Sequence, residues 1–252
     1  MRNQLKAFLT ALRFLTRLEL GEGGRTPEDF HRSLAYFPLI GLLLGLILAA
    51  CRQILAFHMP PAVQAGLLLA LEVYLTGGLH LDGFMDSIDG LFSGRERERI
   101  LAIMKDSHVG AHGVTAVIIL LLLKFSLFFS LPPQPGWNLS PLLLIMPVLS
   151  RWSVVLALIL FPYARSDGMG SLFGAGSRGG RSFLVGATVI ALTIVYLVMG
   201  LMGLVLAFLV GLLAWYWGTW VCHRIGGLTG DTYGALAEIA EVYVLVLGLF
   251  LL

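Results

Sequence analysis

The chain has 252 residues, of which 58% are hydrophobic and only 13% charged, with a mean hydropathy of +0.87. That balance excludes an ordinary soluble globule and reads as one all-α, polytopic integral membrane helical bundle over residues 1–252. The formal net charge of +2 is too small to draw nucleic acid, and two cysteines, Cys51 and Cys222, are too few for a disulfide framework.

The N-terminal stretch Met1 to Leu20 carries Arg2, Lys6, Arg13 and Arg17 along its length, so it does not read as a cleavable signal peptide. Leu5, Phe8, Leu12 and Leu15 recur in one helical stripe and the four bases in another. This predicts an amphipathic surface helix, resting on an anionic leaflet or packed on the bundle. About seven transmembrane helices follow: Ser33 to Cys51, Pro61 to His80, Gly113 to Leu131, Pro141 to Pro162, Phe183 to Gly200, Leu201 to Cys222 and Ala235 to Leu252. The two cysteines then fall at opposite membrane faces.

The loop His58 to Pro61, the loop Pro132 to Ser140 and the turn Met199 to Gly203 contain no Lys or Arg. The N-terminal segment holds six, the connection Leu81 to His112 four, and the connection Tyr163 to Ser182 three. Excess positive charge marks the cytoplasmic side, so the N-terminus is expected inside the inner membrane and the C-terminus outside, with Arg52 the one outer base. All the long polar connections then share the cytosolic face, which predicts a single active site there. A transporter needs polar features reaching both faces.

Asp82-Gly83-Phe84-Met85-Asp86-Ser87-Ile88-Asp89-Gly90 places three carboxylates at spacings of four and three. At about 100° per residue they fall within roughly a 60° arc of a helix, so their charges repel along one face. A hard cation such as Mg²⁺, bound by oxygens and shared with substrate phosphates, relieves that repulsion. The competing reading is a solvated acidic helix start, though Gly83, Gly90 and Gly94 make this a weak helix by propensity.

Downstream, Lys105-Asp106-Ser107 adds a fourth carboxylate for the metal beside a lysine and a hydroxyl that suit a phosphate, or else forms an ordinary solvated helix end. Arg178 and Arg181 sit among glycines that let backbone amides approach an anion, or else meet lipid headgroups. His80 is a candidate proton acceptor, although on an ideal helix it points about 160° from Asp82, so a structural role is equally open. His108 and His112 share a helix spacing, but oxygen-rich surroundings make zinc a poor fit. Glu72, Lys124 and Arg151 lie at membrane depth, where isolated charges are costly and face a bundle interior or cavity. Arg151 is a candidate for a substrate phosphate, and Glu238 and Glu241 for partners of such bases. No Gly-x-x-x-x-Gly-Lys-Ser/Thr run occurs, which argues against a P-loop ATPase.

Gly77-Gly78-Leu79-His80-Leu81-Asp82-Gly83, continuing through Asp86, Asp89-Gly90 and Met104-Lys105-Asp106-Ser107 to Gly110 and Gly113, resembles the signature of the cobalamin synthase family, the adenosylcobinamide-GDP ribazoletransferases. The resemblance extends to Arg13-Phe14-Leu15-Thr16-Arg17-Leu18, Phe37-Pro38-Leu39-Ile40-Gly41, Ser150-Arg151, Tyr163-Ala164-Arg165, and Gly226-Gly227-Leu228-Thr229-Gly230-Asp231 with Glu238 and Glu241. Glu19, Met85 and His108 depart from the pattern and put His108 in doubt as a catalyst.

The resemblance implies a Mg²⁺-dependent transfer in which a hydroxyl of α-ribazole, or of its 5′-phosphate, attacks adenosylcobinamide-GDP and releases GMP. Asp82, Asp86, Asp89 and Asp106 are then the metal ligands, and Lys105, Arg151, Arg178 and Arg181 the phosphate contacts, with Ser107, Thr229 and Asp231 further substrate contacts. The expected partners are these small molecules and membrane lipid; no oligomeric state is implied. Two other classes stay open: a CDP-alcohol-type phosphotransferase, whose usual Ala-Arg pair is replaced here by Asp86 and Ser87, and a magnesium-binding carrier.

Overall fold

A computed structural model describes residues 2–24, 26–133, 138–165 and 180–251. Among them the regular structure is helical: α1 (Arg2–Leu15), α2 (Pro27–Ser33), a 3₁₀ turn Leu34–Tyr36, α3 (Phe37–Leu55), α4 (Pro61–Thr76), α5 (Leu79–Leu91), α6 (Arg97–Ile103), α7 (Ala111–Phe129), α8 (Pro141–Leu160), α9 (Gly180–Ile225) and α10 (Gly230–Leu251).

The N-terminal helix forms as expected, and its apolar stripe faces protein. Ala7, Ala11, Leu12 and Leu15 are buried, and α1 packs on α2 and α3 while Leu5 stays exposed. These contacts fit the setting in which the helix packs on the bundle. Next, α2 starts at a capping box in which Thr26 and Asp29 satisfy each other's backbone N–H groups.

Among the described residues, five helical stretches are long and apolar enough to cross a membrane: Pro27–Leu55, Ala111–Phe129, Pro141–Leu160, Ser182–Ile225 and Gly230–Leu251. A sixth passage exists if α4 and α5 are one span bent by 89°. The structure differs from the expected spans at one place, after Thr76, and agrees with the division expected near Gly200. The span expected over Pro61 to His80 stops at Thr76, because Gly77 (φ 68°) and Gly78 (φ 72°) take left-handed conformations that end the helix and redirect the chain. The two expected spans on either side of Gly200 are the two arms of α9, parted where Gly200 takes φ 58°, ψ −139°. The chain turns back at that break: an added Cβ at Gly203 would strike the Val195 carbonyl, which in a straight helix lies about 12 Å away.

The central helix is α8, whose side chains are buried along most of its length against α3, α9 and α10. Two apolar clusters meet along it. One joins Leu12, Leu15, Phe37, Phe84, Val155, Leu158 and Leu236, and the other Leu48, Leu143, Met146, Leu149, Val210 and Val244. The first surrounds α5 and so carries the acidic face.

Candidate active site

Helix α5 packs between α7 and α10. Gly83 permits this, since a Cβ there would come within 2.8 Å of the Asp231 carbonyl oxygen. Close approach of the two backbones sets Asp231 beside the acidic face. The charges acting on Asp86 are those of Asp82, Asp231 and Asp89, opposed by Arg165.

The four carboxylates are not equivalent. Asp89 is taken up by the start of α7: its Oδ2 accepts from Gly110 N–H and its Oδ1 from Gly113 N–H, both at 2.8 Å. A carboxylate so placed satisfies two orphan amides at a helix N-terminus and suits its dipole. Asp231 Oδ2 accepts from Arg165 Nη2 at 2.9 Å and from Thr229 Oγ1 at 3.3 Å. Asp82, which is exposed, and Asp86 make no hydrogen bond or ion pair among the described residues. They are the two carboxylates of this face left free for a ligand.

Arg165 is the residue that the sequence reading passed over as a site member. It is carried there by a clip between two connections: Ala164 N–H donates to the Leu228 carbonyl and Leu228 N–H to the Pro162 carbonyl, each at 2.8 Å. Its side chain is 13% exposed, and its Nε is buried without a hydrogen-bond partner among the described residues. The usable signal was a lone base directly after a membrane span, on the same side as unpaired carboxylates.

A cavity of about 180 Å³ opens beside this face. His80, Asp82, Asp231 and Tyr233 bring polar groups to its lining beside Gly83, Gly230 and Gly234, and Phe14, Leu15, Phe37, Leu79, Val154 and Leu158 supply the apolar part. The buried His80 makes no hydrogen bond among the described residues.

The remaining expected site residues are placed elsewhere or differently. Lys105, Asp106 and Ser107 are exposed, and Asp106 pairs with His108, 2.6 Å from Nδ1, with Arg99 its other charged neighbour. Thr229 is fully buried, exchanging side chain to backbone hydrogen bonds with Thr232 at the start of α10. Arg178 lies outside the described residues, as does the side chain of Arg181.

Arg151 is 1% exposed and donates to Glu241. Glu241 also pairs with Lys124 at 2.5 Å, and Lys124 in turn reaches Glu238 at 3.0 Å. Glu72 lies 3.1 Å from the same ammonium, close enough for charge pairing without hydrogen-bond geometry. Buried charges at this depth need such partners, so the geometry favours the partner role for Glu238 and Glu241 and gives Arg151 to the protein interior.

Across residues 7–249 the chain matches the sequence profile of the cobalamin-5-phosphate synthase family. The chain belongs to that family. Among relatives, it is 47% identical to the adenosylcobinamide-GDP ribazoletransferase of Desulfitobacterium hafniense strain Y51, over 94% of this chain and 93% of the relative. It is 43% identical to the enzyme of that name from Pseudomonas aeruginosa strain UCBPP-PA14, over 98% of both chains. A third, from Brevibacillus brevis strain 47, is 40% identical over 96% of this chain and 97% of its own. No solved structure matches the chain. As a member of the cobalamin-5-phosphate synthase family it is neither a CDP-alcohol phosphotransferase nor a carrier by these matches. The free carboxylates, Arg165 and the cavity are therefore candidate parts of a transferase site.

Proposed function

We propose that the chain is an adenosylcobinamide-GDP ribazoletransferase that joins adenosylcobinamide-GDP to α-ribazole or its 5′-phosphate and releases GMP. Near-full-length identity of 47% to a relative of that name supports the reaction. The observation that carries the site is the acidic face of α5, closed by Asp231 and Arg165 and bordered by a cavity.

Mg²⁺ belongs to the proposal. Among the described residues no three His, Cys, Asp or Glu side chains are assembled as a metal cage. The donor set still fits this ion, which takes hard oxygens and is commonly held by one or two carboxylates plus substrate phosphates. Asp82 and Asp86 would hold it, Asp89 acting mainly through its charge because both its oxygens already accept from amides. Bound there, the ion would offset charge on the pyrophosphate. The protein's own share is to bind and orient. His80, in the cavity wall, would accept the attacking hydroxyl's proton, and Arg165 would hold phosphate oxygens through its planar fork.

The proposed setting is the inner membrane with the site facing the cytosol, the N-terminus inside and the C-terminus outside. The loops without Lys or Arg support it. So does the helix count once α4 and α5 are one passage and the stretch around Gly200 is two.

The test is to incubate the full chain in lipid nanodiscs with adenosylcobinamide-GDP and α-ribazole and measure GMP. Release that needs both α-ribazole and Mg²⁺ is expected. No GMP with both present overturns the reaction, and full activity in a chelator overturns the metal.

A further inference from the structure

We infer that the cavity beside α5 is the binding chamber for the flat aromatic base of the acceptor, the 5,6-dimethylbenzimidazole of α-ribazole, and that Val154 and Leu158 set which bases it takes. The inference rests on the transferase reading above. The two substrates of that reaction present four kinds of surface: a corrin macrocycle with polar amide arms, a guanine, sugar-phosphates, and one compact apolar bicycle.

At about 180 Å³ the chamber is far too small for a corrin. Guanine needs several hydrogen-bond partners around its edge, and an apolar wall would leave them unpaired at high cost. The walls formed by Phe14, Phe37, Val154 and Leu158 offer none, and the buried Tyr233 hydroxyl, without a partner among the described residues, matches the one free ring nitrogen of a benzimidazole rather than the several polar atoms of a guanine edge. Phe14 and Phe37 instead stack on each other, with centroids 6.0 Å apart and planes 23° from parallel, an aromatic pair in the chamber wall. Val154 on α8 is 6% exposed, and Leu158, one turn on, is 2% exposed.

The charged lining groups are Asp82 and Asp231, which stand with the acidic face of α5. A ribazole seated with its methylated ring among Phe37, Val154 and Leu158 therefore turns its ribose toward the carboxylates and Arg165. That orientation places the reacting hydroxyl beside the carboxylates and the inert ring among apolar side chains. It also disfavours a purine base, whose exocyclic amine and ring nitrogens would be buried unpaired in the same walls.

Two measurements test this on the full chain in nanodiscs. In turnover, Val154→Phe, which fills the chamber, is expected to raise KM for α-ribazole about tenfold or more while KM for adenosylcobinamide-GDP is unchanged. Equal change in both KM values, or in neither, overturns the chamber assignment and leaves the transferase reading standing.

The second measurement needs no catalysis. Val154→Cys, in a chain with Cys51 and Cys222 replaced by serine, is labelled with a small maleimide in the presence of free 5,6-dimethylbenzimidazole, adenine or decanoate. Slower labelling with 5,6-dimethylbenzimidazole alone is the expected result. An unchanged rate, protection by decanoate instead, or equal protection by adenine overturns the proposal. Failure of GMP release in the wild-type chain would sink the reaction without touching this labelling result.

Discussion

Arg165 on the connection after α8 and Asp231 at the start of α10 form an ion pair at 2.9 Å, 66 positions apart in sequence, with both side chains mostly buried. The pair puts a cation near Asp86 into a field of carboxylates, and leaves the Arg165 Nε without a hydrogen-bond partner among the described residues, free for an anion. Arg165→Ala should lower kcat/KM for adenosylcobinamide-GDP by about 10- to 150-fold, the equivalent of a charge-assisted contact of about 1.5 to 3 kcal/mol. Arg165→Lys should recover little of it, since an ammonium lacks the planar fork. Steady-state GMP release checks both, and recovery by lysine to near wild-type rates would show that only the charge matters.

Asp89 and Asp82 share a helix face and should fail in different ways. Asp89→Ala removes the acceptor of two amides at the start of α7 and should cost about 1 to 2 kcal/mol of stability, as loss of a helix cap does. Asp82→Asn should unfold like the wild type, within about 0.5 kcal/mol, yet lose turnover. Thermal unfolding in detergent beside GMP release separates them. Equal stability of the two variants would contradict the capping role.

Asp106 and His108 give a readout of whether the fourth expected carboxylate ever joins a metal. Their hydrogen bond holds Asp106 below its usual 3.8 and His108 above its usual 6.5. The contact is fully present below His108's usual value and is lost as pH rises through its raised one; it is likewise lost as pH falls through Asp106's lowered value. Between about 3.8 and 6.5 the pair is therefore intact. In an NMR titration, Asp106→Asn should move the His108 midpoint down. Saturating Mg²⁺ with substrate should do the same in the wild type if Asp106 is recruited, and leave it in place if Asp82 and Asp86 suffice.

The topology is checked with reporters. A fusion after Leu252 should be active only on the outer side, and an insertion after Gly94, in the connection between α5 and α6, only in the cytosol. Both on one side would mean that an even number of passages separates them, in place of the five expected.

Much of this arrangement was legible beforehand where a local pattern decides it. Apolar runs read from Pro141 to Pro162 and from Gly113 to Leu131 gave α8 and α7 to within about two residues, because span length and hydrophobicity are properties of the segment itself. The common face of Asp82, Asp86 and Asp89 followed from helical spacing alone. What each carboxylate touches did not, since Asp89 finds amides 21 and 24 residues away and Asp231 finds Arg165 across two connections. The bend after Thr76 was hidden by the same glycine pair that marks the motif, and Arg151 looked available because its partner, Glu241 of α10, lies 90 positions away.

The ionic cluster of Lys124, Arg151, Glu72, Glu238 and Glu241 gathers side chains from α4, α7, α8 and α10, with Lys124 and Glu241 separated by 117 positions. During synthesis α7 reaches the membrane long before α10 exists, so Lys124 enters the bilayer with two of its three eventual counter-charges still unmade. A lone ammonium at that depth is disfavoured by about 2.5 to 3.5 kcal/mol on insertion scales. Biogenesis of this chain consequently favours holding its early helices at the insertion machinery until the last one arrives, and truncation within α10 should release a protein that cannot stay integrated as a bundle rather than one that merely lacks an end.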